Sequence, residues 1–400
     1  MDRPVSVLVV ASNFKGELFI EECAREGCQV YLLTALELKD EDWPRDSITD
    51  TFYMPEFTKK EDVINAVSYL ARTHNIDCIV PMDDFDVELT AALREHLRIP
   101  GMGDTTARYF RDKLAMRVQA RDEHILCPRF EHVLNYDKLN KFMAEVPGPW
   151  FLKPRSEAGS VGIKKINNPQ EFWDTVNQLG DHQSHMLVEE YVPGNVYHVD
   201  SIVWEDEVLF SNVSRYVKPP FEIWNFGGIF GTRSLPEGYE EEPEITDMNR
   251  RVIKAMGLKR GVTHAEFIRS AKDGRIYFLE IASRVGGVRI DKMVEAASGL
   301  NMWREWARIE IAAVKKEKYI LPERIHECGA LLISLAKQAQ PDTSAYNDPE
   351  VYWRMQKEHH VGLVLKSPSF DRVSELIDNY IPRICRDYMA IEPPDQTVTH

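Results

Sequence analysis

Val5-Ser-Val-Leu-Val-Val-Ala11 is apolar at nearly every position, a pattern suited to a strand covered on both faces. A short polar loop and a helically spaced stretch at 17–26 separate it from a second such run, Gln29-Val-Tyr-Leu-Leu33. A helix-like stretch at 61–73 leads into Asp77-Cys-Ile-Val-Pro81, and 87–97 is helical again. Doubly buried strands alternating with helices specify a parallel α/β sheet, so residues 1–110 are expected to form a Rossmann-like layer. Ser12-Asn-Phe-Lys-Gly16 stands where a dinucleotide fingerprint would lie but lacks G-x-G-x-x-G, which argues against a nicotinamide or flavin site there.

The chain has 400 residues, more than one ordinary core organises, so two or three domains are expected. Lys and Arg number 49 against 64 Asp and Glu, a formal charge of −15. That balance argues against general nucleic-acid or anionic-membrane binding while leaving room for a local basic pocket. The six cysteines are scattered without a C-x-x-C pair, as expected of reduced thiols in a cytoplasmic protein. The apolar start is too short for a signal-peptide core and no stretch approaches transmembrane length, so the expected location is the cytoplasm, with no membrane partner.

Residues 105–123 read as one charged helix carrying Lys113. Pro128 then opens shorter strands at 130–134, 150–154, 161–166 and 186–191 around a helical stretch at 168–179, an α+β insertion the size of a lid over about 128–191. Strands at 196–204 and 208–215, a glycine-rich loop Phe226-Gly-Gly-Ile-Phe-Gly231 and a helix at 244–256 follow. The last segment, 316–400, is expected to complete the fold as α+β structure, with strands at 330–335 and 361–365, a helix at 371–379, and a disordered polar tail beyond Pro393.

Between these segments, Val262-Thr-His-Ala-Glu-Phe-Ile-Arg269 and Arg275-Ile-Tyr-Phe-Leu-Glu-Ile281 read as the arms of a β-hairpin turning at Lys272-Asp273-Gly274. A three-residue loop with Gly274 left-handed would set Glu266 opposite Glu280 on one face. Two solvated glutamates on an exposed face would give the same pattern, and an even-length loop would set them on opposite faces. Directly opposed carboxylates repel, and a cation with oxygen ligands, usually Mg²⁺ holding phosphates, relieves such a pair most simply.

Lys153 ends the apolar run Trp150-Phe-Leu-Lys-Pro154 and precedes Arg155-Ser-Glu-Ala-Gly-Ser-Val-Gly162. A strand-end lysine followed by small residues can hold one positive charge and several backbone N–H groups against a polyphosphate, although a hairpin turn with a surface lysine accounts for it equally. Met186-Leu-Val-Glu-Glu-Tyr-Val-Pro-Gly194 is an apolar strand broken by an acidic pair, a junction whose backbone can read an adenine edge or simply end a strand. His198 and Asp200 alternate on the next strand, as a ligand wall or a surface strand would have them. Arg284 and Gly286-Gly287 follow Glu280, where an arginine can offer its fork to phosphate or form a surface ion pair.

Taken in order, these features resemble the ATP-grasp superfamily, and within it the carboxylate-amine ligases similar to bacterial L-amino acid ligases and biotin carboxylase. The resemblance runs over roughly residues 5–310 and rests most on Val-Thr-His-Ala-Glu-Phe and Leu-Glu-Ile-Ala-Ser-Arg-Val-Gly-Gly. It implies an ATP-grasp fold of mixed α/β and α+β type: a Rossmann-like domain, an ATP-grasp domain over 111–315 with its mobile lid, and the C-terminal α+β segment. It further implies that Lys113 and Lys153 contact ATP phosphates and that Ser156 to Gly162, with Gly159 and Ser160, forms the flexible phosphate loop. Glu189, Glu190, Tyr191 and Val192 would be the adenine hinge, and His198 would lie near the ribose and base. Glu266 and Glu280 would hold Mg²⁺, with Mn²⁺ as the alternative ion, and Arg284 would stabilise an acyl-phosphate.

Two departures stand out. Val196 takes the place of a glutamate that often contacts the ribose, a role that then passes to Glu190 or His198. Ala282 takes the place of an asparagine that commonly supplies a third metal ligand. The implied activity is ATP-dependent joining of a carboxylate to an amine, amino acids being the expected substrates, with release of ADP and phosphate and a homodimer as the family's suggestion. A biotin- or purine-type carboxylating enzyme is the alternative, weakened by the absence of an Ala/Val-Met-Lys-Met carrier motif. A nucleotide-binding regulatory protein without turnover is another, supported by Val196 and Ala282 alone.

Overall fold

The computed structural model describes residues 3–390, so the expectation for the tail beyond Pro393 lies outside the described residues. Strands β1 (Ser6–Ala11), β2 (Gln29–Ala35), β3 (Asp50–Met54) and β4 (Cys78–Pro81) form a parallel sheet in the order β3-β2-β1-β4. The unbroken apolar run of β1 is explained by cover on both sides. Val7, Val9 and Ala11 pack with Phe19 and Ile20 of the helix Glu17–Arg25, whereas Leu8 and Val10 pack with Val63, Val67, Leu89 and Leu93 of two other helices. Each such side chain, fully buried, stabilises the layer by about 1.5–3 kcal/mol. Strand β3 escapes the periodicity argument because it is an edge strand, buried only at Met54.

A second sheet has the order β5-β8-β6-β7, from β5 (Phe130–His132), β6 (Trp150–Pro154), β7 (Lys164–Ile166) and β8 (Met186–Glu190), all antiparallel. The helices Tyr136–Glu145 and Pro169–Leu179 cover one side through Leu139, Phe142, Phe172 and Val176. This small core is separate from the others.

The third and largest sheet is antiparallel throughout. It contains β9 (Gly194–Trp204), β10 (Glu207–Tyr216), β11 (Phe230–Ser234), β12 (Gly261–Ser270), β13 (Ile276–Ala282), β14 (Cys328–Leu335), β15 (Val351–Arg354) and β16 (His360–Ser367), in the order β13-β12-β9-β10-β11-β14-β16-β15. Ala265, Phe267 and Val199 point to one face, against Val252 and Ile253 of the helix Glu242–Met256. Their neighbours along the strands, at even numbers, occupy the opposite face.

The single helix expected over 105–123 is two, Asp104–Arg108 and Lys113–Asp122. Asp112 breaks it by taking an extended backbone and accepting hydrogen bonds from the N–H groups of Leu114 (2.9 Å) and Ala115 (3.4 Å). Lys113 therefore starts a helix instead of lying within one. The last helix, Phe370–Asp387, runs beyond the expected 371–379 and contains Pro382. Among the described residues no helix is long and apolar enough to cross a membrane, and all six cysteines are free.

Candidate active site

Glu266 does face Glu280, though not through a three-residue loop. Near the turn the pairing is Arg269 with Ile276, and the turn spans four residues, 271–274, with Gly274 left-handed at φ 70° and its N–H bonded to Ser270 O. An even loop alone would send the two carboxylates to opposite faces. A β-bulge between Glu266 and Phe267 corrects the register, because Leu279 is an extra residue with no partner across the ladder. Arg117, on the helix Lys113–Asp122, donates to the Leu279 carbonyl that the bulge displaces.

The sheet register extends the pair into a grid. Glu280, Glu266 and His198 lie side by side on β13, β12 and β9, and Ala282, His264 and Asp200 form the next row. The His198 Nδ1 is 2.8 Å and the His264 Nδ1 2.9 Å from Asp200 oxygens, while the Tyr216 hydroxyl donates to Glu266 Oε1 at 2.7 Å. Burial alone would depress the His264 pKa, but the Asp200 carboxylate, with help from Glu266, raises it to about 9. The resulting imidazolium, 3.8 Å from Glu266, holds that carboxyl below its ordinary range against the opposing effect of burial. Glu280 has its own cation, Lys113 Nζ at 3.2 Å from Oε2.

The protein itself thus relieves much of the repulsion that the sequence pattern would assign to a metal. Each carboxylate still has one oxygen, Glu266 Oε2 and Glu280 Oε1, without a protein partner among the described residues. Two hard anionic oxygens on facing strands fit Mg²⁺. Ala282, a methyl group in the neighbouring row, contributes nothing to such an ion.

Lys153 on β6 forms an ion pair with Glu189 on β8, and Arg117 holds the other Glu189 oxygen through Nε at 3.0 Å and Nη2 at 2.9 Å. All three are buried, Arg117 and Glu189 almost completely. Burial would raise the Glu189 pKa, but the two cations pull it below its ordinary value. The side chain of Glu189 is therefore an internal counter-ion that aims Lys153. Arg117 is absent from the sequence reading, although its position four residues after Lys113 on one helix face could have revealed it.

The hinge backbone is partly committed: the N–H of Glu190 bonds to Arg129 O and that of Tyr191 to Pro149 O. The N–H of Val192 has no acceptor among the described residues. Glu190 reaches Lys272 at 3.7 Å and is half-exposed, so a ribose hydroxyl can meet it. His198 cannot serve in that role as placed. It is fully buried, with Nε2 2.7 Å from Thr232 Oγ1 and Nδ1 on Asp200, and it lies beside Glu266 on the neighbouring strand. Val196 joins a small apolar cluster with Val192 and Tyr216.

The loop from Ser156 to Gly162 lies over Lys113, which donates to Glu157 O, while Arg111 donates to Ser156 O. Gly159, Ser160 and Gly162 all have left-handed backbones, with φ 63°, 65° and 70°. For Ser160 that conformation costs roughly 1–2 kcal/mol. The small residues expected here are thus used for left-handed backbone conformations.

Arg284 leaves the sheet and donates to Asp84 Oδ2 from Nε (2.8 Å) and Nη2 (2.6 Å), joining the site to the N-terminal layer. Burial opposes ionisation of Asp84, yet Arg284 keeps its pKa below the ordinary value. The loop Met82-Asp-Asp-Phe-Asp86 that brings Asp84 here carries no signal in the sequence reading. Within it Asp86 accepts from the N–H groups of Ser12 and Asp83, and burial raises its pKa from an ordinary 3.8 to about 7. Between those values the folded chain keeps a proton that the unfolded chain has lost, so stability falls as pH rises from about 4 to about 7. Asp86→Asn is expected to flatten this slope and to raise the melting temperature above that of the wild type at pH 8, measured by thermal unfolding across pH 4–8.

Residues 146–292 match the family model described as "ATP-grasp domain". The chain is 25% identical over 241 residues to the L-arginine-specific L-amino acid ligase of Bacillus subtilis, covering 59% of this chain and 58% of that protein. It is 21% identical over 173 residues to D-alanine–D-alanine ligase B of Clostridium tetani, covering 42% and 48%. The matched part thus spans only about half the length of these curated relatives. The solved L-amino acid ligase from Bacillus licheniformis superposes with a TM-score of 0.74 over 98% of this chain and 99% of that one, at 16% identity, a likeness of fold. The match places an ATP-grasp domain over residues 146–292, the part of the chain that carries the facing glutamates Glu266 and Glu280.

Proposed function

We propose that this protein is an ATP-dependent carboxylate-amine ligase that joins two small molecules, at least one of them an amino acid, by way of an acyl-phosphate, releasing ADP and phosphate. The observation that carries this reading is the convergence of Lys113, Glu280 and Glu266 from a helix and two facing strands, beside the Lys153–Glu189–Arg117 triad. Mg²⁺ held by Glu266 and Glu280 would neutralise charge on the triphosphate. Lys153 and Lys113 bind phosphate oxygens and fix their direction, because Glu189 and Glu280 restrict both ammonium groups. The Val192 N–H orients the base, and Glu190 offers a carboxylate to the ribose.

In the first step a carboxylate oxygen of the substrate attacks the γ-phosphorus, and the bond to the β-phosphate oxygen breaks to give ADP. In the second, an amine nitrogen attacks the acyl carbon, phosphate leaves and the nitrogen loses a proton to the surroundings. Arg284 suits the anionic charge that grows on the acyl-phosphate, sharing its guanidinium with Asp84. Water would consume that intermediate, so the lid sheet and the loop over Lys113 close first. The amino-acid ligases among the relatives support amino-acid substrates. Trp224 and Phe226 lie exposed on the short helix Pro220–Phe226, whose Phe221 packs on Phe151 of the lid at 4.6 Å, which suits a wall for the acceptor.

The test measures ADP and phosphate release from Mg·ATP against pools of amino acids, with and without bicarbonate. Phosphate release stimulated by a pair of amino acids is the expected result. AMP and pyrophosphate as products, or release only with bicarbonate, would overturn it.

A further inference from the structure

A second cavity, about 270 Å³ in volume, lies where the N-terminal layer meets the turn before β12 and the helix Met302–Lys315. Ser283 lines it, whereas the next residue, Arg284, reaches Asp84 in the cleft described above. One buried group in its wall lacks a hydrogen-bond partner, and a second, a buried cation, lacks a counter-ion within salt-bridge distance among the described residues. Ser283, 5% exposed, has a buried hydroxyl with no hydrogen-bond partner among the described residues.

Arg94, 7% exposed, donates only to backbone carbonyls, Ile79 O from Nε at 2.9 Å and from Nη2 at 2.5 Å, and Met102 O from Nη1 at 3.3 Å. No carboxylate lies within salt-bridge distance of it among the described residues. A guanidinium buried without an anion is costly, and the cost is relieved by a ligand that brings one. Gly101 lets the chain pass directly over this arginine: a Cβ there would stand 2.8 Å from Arg94 Cδ.

The remaining charges favour the same sign of ligand. Glu310, the one acid in the lining, is already held by Arg260 Nε at 3.2 Å and Trp306 Nε1 at 3.4 Å. Lys259 and Arg94 then leave the wall with an excess of positive charge. The volume corresponds to roughly nine water-sized groups, too small for a nucleotide.

We propose that this cavity binds a small oxyanion, a phosphate or a short carboxylate, with its oxygens on Arg94 and the Ser283 hydroxyl. The site is separate from the nucleotide cleft and independent of the ligase reading.

The experiment is thermal unfolding of the full chain at constant ionic strength with saturating Mg·ADP, titrated with inorganic phosphate in one arm and malonate in the other. The wild type is expected to show a saturable rise of about 3 °C with at least one of them, and the arm that responds identifies the anion class. Ser283→Val, which removes an unbonded hydroxyl and places methyl groups in the cavity, is expected to weaken half-saturation at least tenfold without lowering the ligand-free midpoint. Arg94→Gln should abolish the rise. Should that variant not fold, Ser283→Val decides alone. Absence of a saturable rise in both arms, or wild-type half-saturation in Ser283→Val, would overturn the proposal.

Discussion

Replacing Glu280 with alanine is expected to lower ATP turnover by roughly 10³-fold or more while leaving the fold intact. Glu280 is one of only two carboxylates whose free oxygens face each other across the hairpin, and no neighbouring side chain substitutes for it because position 282 is alanine. Removing it also takes away the ion partner 3.2 Å from Lys113, whose ammonium group then keeps only the Glu157 carbonyl. Two effects on stability oppose each other. Loss of an opposed like charge favours the sheet, while the buried Lys113, left with the Glu157 carbonyl but no counter-ion, is penalised, so the two effects offset each other in part. Single-turnover ADP release and urea unfolding of the same preparation check both halves. Turnover within tenfold of wild type would remove Glu280 from the metal-holding role, and gross unfolding would show that the pair is structural.

Much of this architecture can be read from residue patterns, and the failures have physical causes. Buried strands such as β1 are covered on both faces, so their composition alone identifies them. Edge strand β3 is half-exposed and gives no such contrast. The facing of Glu266 and Glu280 follows from symmetry about Asp273, yet the reason lies elsewhere: an even turn compensated by a bulge at Leu279, two irregularities that cancel. No local pattern announces a bulge, because what holds it is Arg117, 162 residues away in sequence. Lys153 and Glu189 are each visible in their strands, but their pairing depends on the antiparallel register of β6 and β8. His198 looks like a ligand wall in sequence because alternation cannot show how far a strand is buried. Asp84 was invisible for a related reason: its partner Arg284 lies 200 residues on, and only packing of two layers joins them.

The largest stability change is expected from Glu189→Gln, at about 3–5 kcal/mol of destabilisation. This carboxylate is enclosed, with 1% exposure, and it separates two buried cations. Neutralising it leaves Lys153 and Arg117 facing each other in a region that water does not reach. Arg117→Met should cost less than Glu189→Gln, because the Lys153–Glu189 pair it leaves is neutral, although the Leu279 carbonyl at the bulge then loses its donor. The double variant is expected to recover part of the Glu189→Gln loss, so urea unfolding of the four proteins in a cycle should return a coupling of 1 kcal/mol or more. The pH dependence has a definite sign. The folded pKa of Glu189 lies below its ordinary 4.5, so its contribution is complete above that value and disappears as pH falls through the folded pKa. The wild type should therefore lose stability on acidification below about pH 4.5 more steeply than Glu189→Gln does. Additive effects in the cycle, with parallel acid profiles, would mean that the triad is three independent side chains and that Lys153 is aimed by something other than Glu189.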